Sequence, residues 1–294
     1  MEIGEKIKSL RLAKRMTQSE LAGDQITRNM LSLIENGSAL PSLTTVIYLS
    51  ERLGVPTGML LARDDEELFY KKLAETPKIK QMYGMGEYRL AYDMCMDISE
   101  GQMDDELYFI LSRCCFEIAK ENFYFGKLRK SVRFFDRACE YSKKTSYDGD
   151  QLLSSVAIYL DYLVRLSPTL SSENGNESYK GSYLCADPFG RYALAMKEIE
   201  ASGRAYVGLV SENDGGFYEH VAAKIEMING NYVAARERLK KLIHGDALEC
   251  RIVMYDIFKD LEECCREIED YKGAYEYSVG KVELLEHMLR GDSL

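Results

Sequence analysis

Apolar residues in the first 60 positions recur at helical spacing in short blocks, each bounded by residues that start or stop a helix. Ile3, Ile7, Leu10 and Met16 share one side of a first segment, with Lys6, Lys8, Lys14 and Arg15 expected on the other. Thr17 caps a second helix that buries Leu21 and Ala22, and Glu20 three positions later completes a capping box. Gly23-Asp24 breaks it. Thr27 is the natural cap of a third helix, Arg28 to Glu35, which turns Leu31 and Ile34 inward and stops at Asn36-Gly37. Pro41-Ser42 opens a fourth, with Leu43, Val46, Ile47 and Leu53 as its apolar side, and Pro56-Thr57-Gly58 starts a short fifth.

Capped amphipathic segments with such short connections are the sequence form of a helix-turn-helix, whose second helix lies in the DNA major groove. The run Met16-Thr17-Gln18-Ser19-Glu20-Leu21-Ala22, then Ile34-Glu35-Asn36-Gly37, then Pro41-Ser42-Leu43, resembles the DNA-binding domain of the Cro/CI-type (XRE) repressors over about residues 3–62. The resemblance implies a five-helix lambda-repressor-like domain over residues 1–63 that binds double-stranded DNA. Carried residue by residue, it places Arg28, Asn29 and Ser32 at base edges. It places Gln18 and Asn36, with Thr17 and Thr27, at the DNA backbone, and pairs Glu35 with Arg11 in a structural ion bridge. Chemistry agrees for the base readers: Arg offers a fork to guanine and Asn a donor–acceptor pair to adenine, each worth about 1–3 kcal/mol of discrimination. A cation at the positive end of a helix is unfavourable by itself, so Arg28 there points to an anionic or base partner. The turn Gly23-Asp24-Gln25-Ile26 is one residue shorter than in the common phage repressors. Leu33 stands where a polar, DNA-facing side chain is frequent; either it touches thymine methyls or it packs internally.

Beyond Arg63 the acidic run Asp64-Asp65-Glu66-Glu67 marks a boundary, and residues 64–294 read as helix after helix. A phrase recurs there, Gly-x-Tyr-x-x-Ala: Gly86-Glu87-Tyr88 with Ala91, Gly190-Arg191-Tyr192 with Ala195, and Gly230-Asn231-Tyr232 with Ala235. Weaker copies are Gly126-Lys127-Leu128 with Ser131 and Glu269-Asp270-Tyr271 with Ala274, giving intervals of 40, 64, 40 and 39 residues. The long interval holds a polar stretch within 167–185 that reads as an insertion. A near-constant period means a stacked array. In this reading Gly lets two helices approach, the aromatic fills the gap, and Ala brings the next helix close; Cys95, Ile199 and Leu239, seven residues past the Tyr, fall on the same packing side. Tyr88, Tyr192, Tyr232 and Tyr271 are therefore packing residues. The body resembles the tetratricopeptide repeat, so the fold class expected for the whole chain is all-α, the DNA-binding domain followed by a helical-hairpin superhelix. An unrelated helical bundle is the alternative. The helix Gln151–Leu166 carries a second face of Ser155, Tyr159 and Tyr162; Tyr159 and Tyr162 are candidates for lining an effector groove, with packing against the next repeat as the competing reading.

The net charge of −10 divides unevenly. Residues 1–63 hold eight Lys/Arg against six Asp/Glu, and the rest hold 30 against 42. A basic head on an acidic body confines phosphate attraction to the head. The eight cysteines (95, 114, 115, 139, 185, 250, 264, 265) include no Cys-x-x-Cys pair and read as small buried residues. The three histidines (220, 244, 287) make no metal or catalytic spacing, so no metal and no cofactor are expected. No uncharged apolar stretch of about 18 residues and no apolar leader occur, so no membrane partner is expected, and a cytoplasmic location is.

A Cro/CI-type head on a tetratricopeptide-like body resembles the peptide-responsive regulators of the Rgg and PlcR-like group. That resemblance implies a dimeric transcription regulator whose body binds a peptide or protein effector. The alternative is a protein-interaction scaffold whose DNA-binding head only targets it or is vestigial. Catalysis is the weakest reading, since no Walker loop, Gly-x-Ser-x-Gly, His-Glu-x-x-His or dinucleotide fingerprint is present.

Overall fold

The computed structural model describes residues 2–63, 66–98, 100–147, 149–172, 187–203, 209–245 and 250–290. Its regular structure among those residues is helical throughout. No helix is long and apolar enough to cross a membrane among them. The chain divides into two compact units, residues 1–107 and 108–294.

In the first unit, α1 (Ile3–Ala13), α2 (Gln18–Ala22), α3 (Arg28–Glu35), α4 (Leu43–Leu53) and α5 (Thr57–Leu61) enclose one core. Ile7, Leu21, Leu31, Ile34, Leu49 and Leu53 are all buried in it. Thr17 and Glu20 form the capping box of α2, and Thr27 and Ser42 accept the N3 amides of α3 and α4. Two expectations need correction. Lys6 is not on the outer side of α1: it is 5% exposed, and its Nζ donates to the Ala62 carbonyl at 2.6 Å. Leu43 and Ile47 are exposed, because Val46, Leu49, Ser50 and Leu53 make up the inward arc of α4. The unit continues through α6 (Glu67–Gly84) and α7 (Tyr88–Met96), with α6 against α5 and α7 against α6. Tyr70 of α6 lies directly over Gly58, where a Cβ would meet its ring at 2.3 Å. The acidic positions 64 and 65 lie outside the described residues.

The second unit contains α9 (Leu128–Ser142), α10 (Asp150–Leu166), α11 (Pro188–Ser202), α12 (Gly216–Ile228), α13 (Tyr232–His244), α14 (Val253–Glu267) and α15 (Tyr271–Arg290). Nearly all of α8 (Asp105–Tyr124) belongs to it as well. From α9 onward each helix packs on the next, and α15 also touches α9. The recurring phrase marks the junction inside a helix pair. Residues 86, 126, 230 and 269 all have positive φ (81°, 74°, 79° and 62°) and all begin the same turn. In each, the next amide reaches back five residues: Glu87 to Met82, Lys127 to Asn122, Asn231 to Glu226 and Asp270 to Cys265, at 2.8–3.0 Å. This is a Schellman closure, which favours Gly for its backbone freedom. A Cβ at Gly86 or Gly230 would touch nothing within 4 Å. Gly therefore sets the turn there, and does not serve the close helix approach expected of it. The copy at 190 lies inside α11 and makes no such turn.

The Ala position of the phrase is buried in every copy (Ala91, Ser131, Ala195, Ala235, Ala274), as are Cys95, Ile199 and Leu239. The aromatic position is less uniform: Tyr192 is fully buried, but Tyr271 is 69% exposed and is no packing residue. Of the polar insertion, Pro168–Leu170 is a short 3-10 turn; residues 173–186, including Cys185, lie outside the described residues. The other seven cysteines are buried. Burial pushes the thiols of Cys95, Cys250 and Cys264 up to about 12, which removes them as nucleophiles near neutrality.

Tyr159 and Tyr162 do not line a groove. Tyr159 is 0% exposed and meets Phe116, Phe123, Phe135 and Phe189 at ring-centroid distances of 4.7–6.0 Å. Tyr162 is also buried, and its hydroxyl donates to Asp256 Oδ2 at 2.6 Å. The side of α10 that carries them faces an aromatic spine continuing through Phe189, Tyr192 and Phe217, so packing wins at both positions.

The spine ends in a buried polar chain. The Tyr192 hydroxyl and His220 Nδ1 are 2.9 Å apart, His220 Nε2 and Asp260 Oδ2 3.1 Å, and Lys224 Nζ donates to Asp260 Oδ1 at 2.7 Å. Burial alone would raise the Asp260 carboxyl. The hydrogen bonds and charges of His220 and Lys224 outweigh that and hold it below the ordinary aspartate range. Asp260→Ala removes the buried acceptor that His220 and Lys224 share, leaving Lys224 only the more exposed Glu263, and should lower the body's unfolding free energy by roughly 1–3 kcal/mol, read as an earlier urea transition by circular dichroism.

Candidate nucleic-acid interface

The third helix of the head presents a ridge. At about 100° per residue, the inward residues Leu31, Ile34 and Glu35 occupy one arc. The opposite arc carries Asn29, Leu33 and Asn36, with Arg28 and Ser32 on one flank and Met30 on the other. Arg28, Asn29, Leu33 and Asn36 are exposed, and Ser32 is half-buried. The structure thus brings the three expected base readers to one solvent-facing surface. It also rules out internal packing for Leu33, which is 47% exposed.

What fixes the ridge lies behind it. Arg11 of α1 grips Glu35 with two parallel bonds, Nε to Oε1 at 2.6 Å and Nη2 to Oε2 at 2.9 Å. Its remaining Nη1 donates to the Met16 carbonyl at 2.8 Å. The pair is buried on both sides, so the fork has little competition from water. Burial by itself pushes the Glu35 carboxyl up. The hydrogen bonds from Arg11 and Gln18, with the charges of Arg11 and Lys8, overcome it and hold Glu35 below the usual glutamate value.

Gln18 shares this hub. Its Nε2 donates to Glu35 Oε2 at 2.9 Å, which orients a side chain expected at the DNA backbone and leaves its second amide N–H unengaged by Glu35. Thr17 is exposed, but its hydroxyl donates to Glu20 Oε2 at 2.9 Å while accepting the Glu20 amide. Thr27 Oγ1 accepts the Met30 amide at 3.1 Å and keeps its hydroxyl proton for another partner.

Several positioning residues escaped the sequence reading. Gly4 is one: a Cβ there would meet the Ile34 carbonyl oxygen at 2.0 Å, so α1 and α3 touch backbone to backbone. Tyr48 donates to the Ala22 carbonyl at 2.9 Å, and Arg52 lies over the Tyr48 ring and donates to the Glu20 carbonyl. Together they pin the C-terminal half of α2 to α4. A glycine inside an otherwise good helix was the one available signal for Gly4; Tyr48 and Arg52 gave none, because their acceptors are main-chain atoms.

Residues 7–60 match the family model described as Helix-turn-helix. The match runs from the core residue Ile7 to Leu60 and takes in all of α2, α3 and α4, within under a fifth of the chain. No curated protein matches the chain in sequence. Among solved structures, the chain is similar to PlcR of Bacillus thuringiensis, solved in complex with the peptide PapR7 and DNA, at 16% identity over 99% of this chain and 98% of that one, with a TM-score of 0.27. ComR from S. thermophilus, solved with DNA and its signalling peptide ComS, gives 16% identity over 99% and 98% of the two chains and a TM-score of 0.24. The SHP pheromone receptor Rgg2 of Streptococcus dysgalactiae gives 12% identity over 96% and 99%, with a TM-score of 0.20.

Two outcomes test the helix-turn-helix head. Because the fold depresses the Glu35 value, the stabilisation is complete above the unfolded value of about 4.3 and is lost as pH falls through the lower folded value. The protection factors of the α1 and α3 amides of the full chain, corrected for the intrinsic exchange rate at each pH, should therefore fall on acidification below about 4.3, and Glu35→Gln should already show lower protection at pH 7 and lose most of that dependence. Gly4→Ala should cost about 1–3 kcal/mol through overpacking, seen as the same local loss of protection at neutral pH.

Proposed function

We propose that this chain is a sequence-specific, double-stranded-DNA-binding transcription regulator that works as a homodimer and whose repeat body binds a peptide or protein effector. The observation that carries the DNA-reading part is the α3 ridge: Arg28, Asn29 and Ser32 share a solvent-facing surface, and a buried bidentate ion pair fixes its orientation. Arg28 sits in the first turn of α3, where its charge opposes the helix dipole and gains from a guanine edge or a phosphate. Gln18, Thr27 and Asn36 flank the ridge with donors suited to phosphate oxygens.

A homodimer places two such heads on half-sites about 34 Å apart, one turn of the duplex. The effector class follows the sequence resemblance to the Rgg and PlcR-like group. An effector acts only through unequal affinity for two arrangements of the dimer. The buried positions of Tyr159 and Tyr162 leave its site to other, exposed residues of the body.

Electrophoretic shift of a palindrome from the promoter of its own gene tests this reading. Arg28→Ala or Asn29→Ala should weaken binding to that site by roughly 5- to 150-fold, the equivalent of about 1–3 kcal/mol, while binding to unrelated DNA keeps its steep salt slope. Binding indifferent to both substitutions would discard the base-reading face and favour the scaffold alternative.

A further inference from the structure

One helix reverses the charge of the body. Residues 127–144, α9 and its two ends, hold seven Lys/Arg against Asp136 and Glu140, whereas the rest of residues 64–294 hold 23 against 40. At about 100° per residue, the buried Leu128, Val132, Phe135 and Cys139 lie on one arc of α9. The opposite arc carries Arg129, Arg133 and Arg137 in a row at i, i+4 and i+8, with Lys144 continuing the line, and all four are exposed. Two carboxylates interrupt the arc: Glu140, and Asp136, which accepts the Ser172 hydroxyl.

The helix itself does not ask for this row. Lys143 and Lys144 follow the C-terminus of α9, where the helix dipole favours cations. The arginines lie inside the helix, and Arg129–Arg133 and Arg133–Arg137 are like-charge neighbours that weaken it. An anionic partner removes that cost. Two of the four cations are also restrained beforehand. The Arg137 guanidinium lies over the Phe134 ring at 5.3 Å, and Lys144 Nζ over Tyr108 and Tyr141 at 5.3 and 5.9 Å. Such ring contacts leave less side-chain freedom to lose on binding.

We infer that Arg129, Arg133 and Arg137 form a second, sequence-independent contact to duplex DNA, through its phosphates. Guanidinium forks match phosphate oxygens. The row spans about 12 Å along the helix, and each strand presents a phosphate every 3.4 Å or so of axis, about three over that length. An acidic protein segment is the other polyanion of this kind. A protein interface, however, is built around a buried apolar or aromatic anchor, and α9 sets no exposed apolar side chain among its cations. The inference rests on the DNA-binding reading of the head, and it gives the body a share in affinity without a share in sequence discrimination.

The test measures equilibrium binding of the full chain to its promoter fragment and to unrelated DNA over a series of salt concentrations. Arg129→Gln, Arg133→Gln and Arg137→Gln combined keep good helix formers at exposed positions, with the fold checked by circular dichroism. Each phosphate contact contributes about 0.9 to the slope of log K against log salt, so the triple variant should lower that slope by about 2–3 on both DNAs. Its ratio of promoter to unrelated binding should stay at the wild-type value, unlike that of Arg28→Ala. Lysine at the same three positions keeps the charge and should restore the slope. Lys241→Gln, Lys272→Gln and Arg290→Gln combined remove equal charge from other exposed parts of the body and should leave the slope unchanged. A wild-type slope in the first triple variant overturns the assignment and leaves the row to an acidic protein. An equal loss in the second overturns it in favour of net charge alone. In either case Arg28-dependent binding stands; absence of DNA binding by the wild-type chain overturns the inference together with the reading it rests on.

Discussion

The buried fork between Arg11 and Glu35 sets the orientation of everything the head presents. It joins the last turn of α1 to the last turn of α3, and the same carboxylate holds the Gln18 amide at the start of α2. Three helices thus share one charge centre, and its directionality comes from the planar guanidinium, which a lysine would not supply. Around it the core is small and apolar, so the ion pair contributes register where leucine and isoleucine contribute adhesion. Because α1 lies against α3 at Gly4 without an intervening side chain, the pair acts over a fixed distance.

The body solves a different problem. A repeat array reuses its local geometry, and four turns share a positive-φ residue and one five-residue amide-to-carbonyl closure. At the fourth, Glu269 adopts the left-handed conformation in place of glycine, which shows the turn to be demanded by the surrounding helices and not by local preference. Between the turns an aromatic spine from Phe116 to Phe217 crosses successive hairpins, and the His220–Asp260–Lys224 chain ties α12 to α14 across the hairpin partner between them.

Much of the head was legible because its signals are local. Thr17, Glu20, Thr27 and Ser42 act on amides three residues away, and the structure uses each as a cap. The Arg11–Glu35 pair was legible only through family resemblance, since its partners are 24 residues apart. In the body the buried Ala and seventh-position residues followed the helical period. The faces did not: both faces of α10 are apolar enough to be buried, and nothing in its spacing distinguishes a tyrosine that faces a groove from one that meets Phe123 and Phe189. Lys6 misled for the opposite reason, its long stem being compatible with either side of α1. The role of glycine differs from copy to copy because a left-handed turn and a close approach leave the same mark in a sequence: Gly86 and Gly230 serve the turn alone, while at Gly126 a Cβ would also meet Met288 Cγ at 3.1 Å.

Lys6 also has a mechanical corollary. Its ammonium group clamps the carbonyl of Ala62, the residue just past α5, and its own helix carries Arg11 little more than one turn further on. The strand of chain leaving the head is thereby fastened to the lever that aims α3. Ala62 and Glu35, far apart in the sequence, are thus joined by directional polar contacts made from one helix, α1, which also supplies Ile7 to the core.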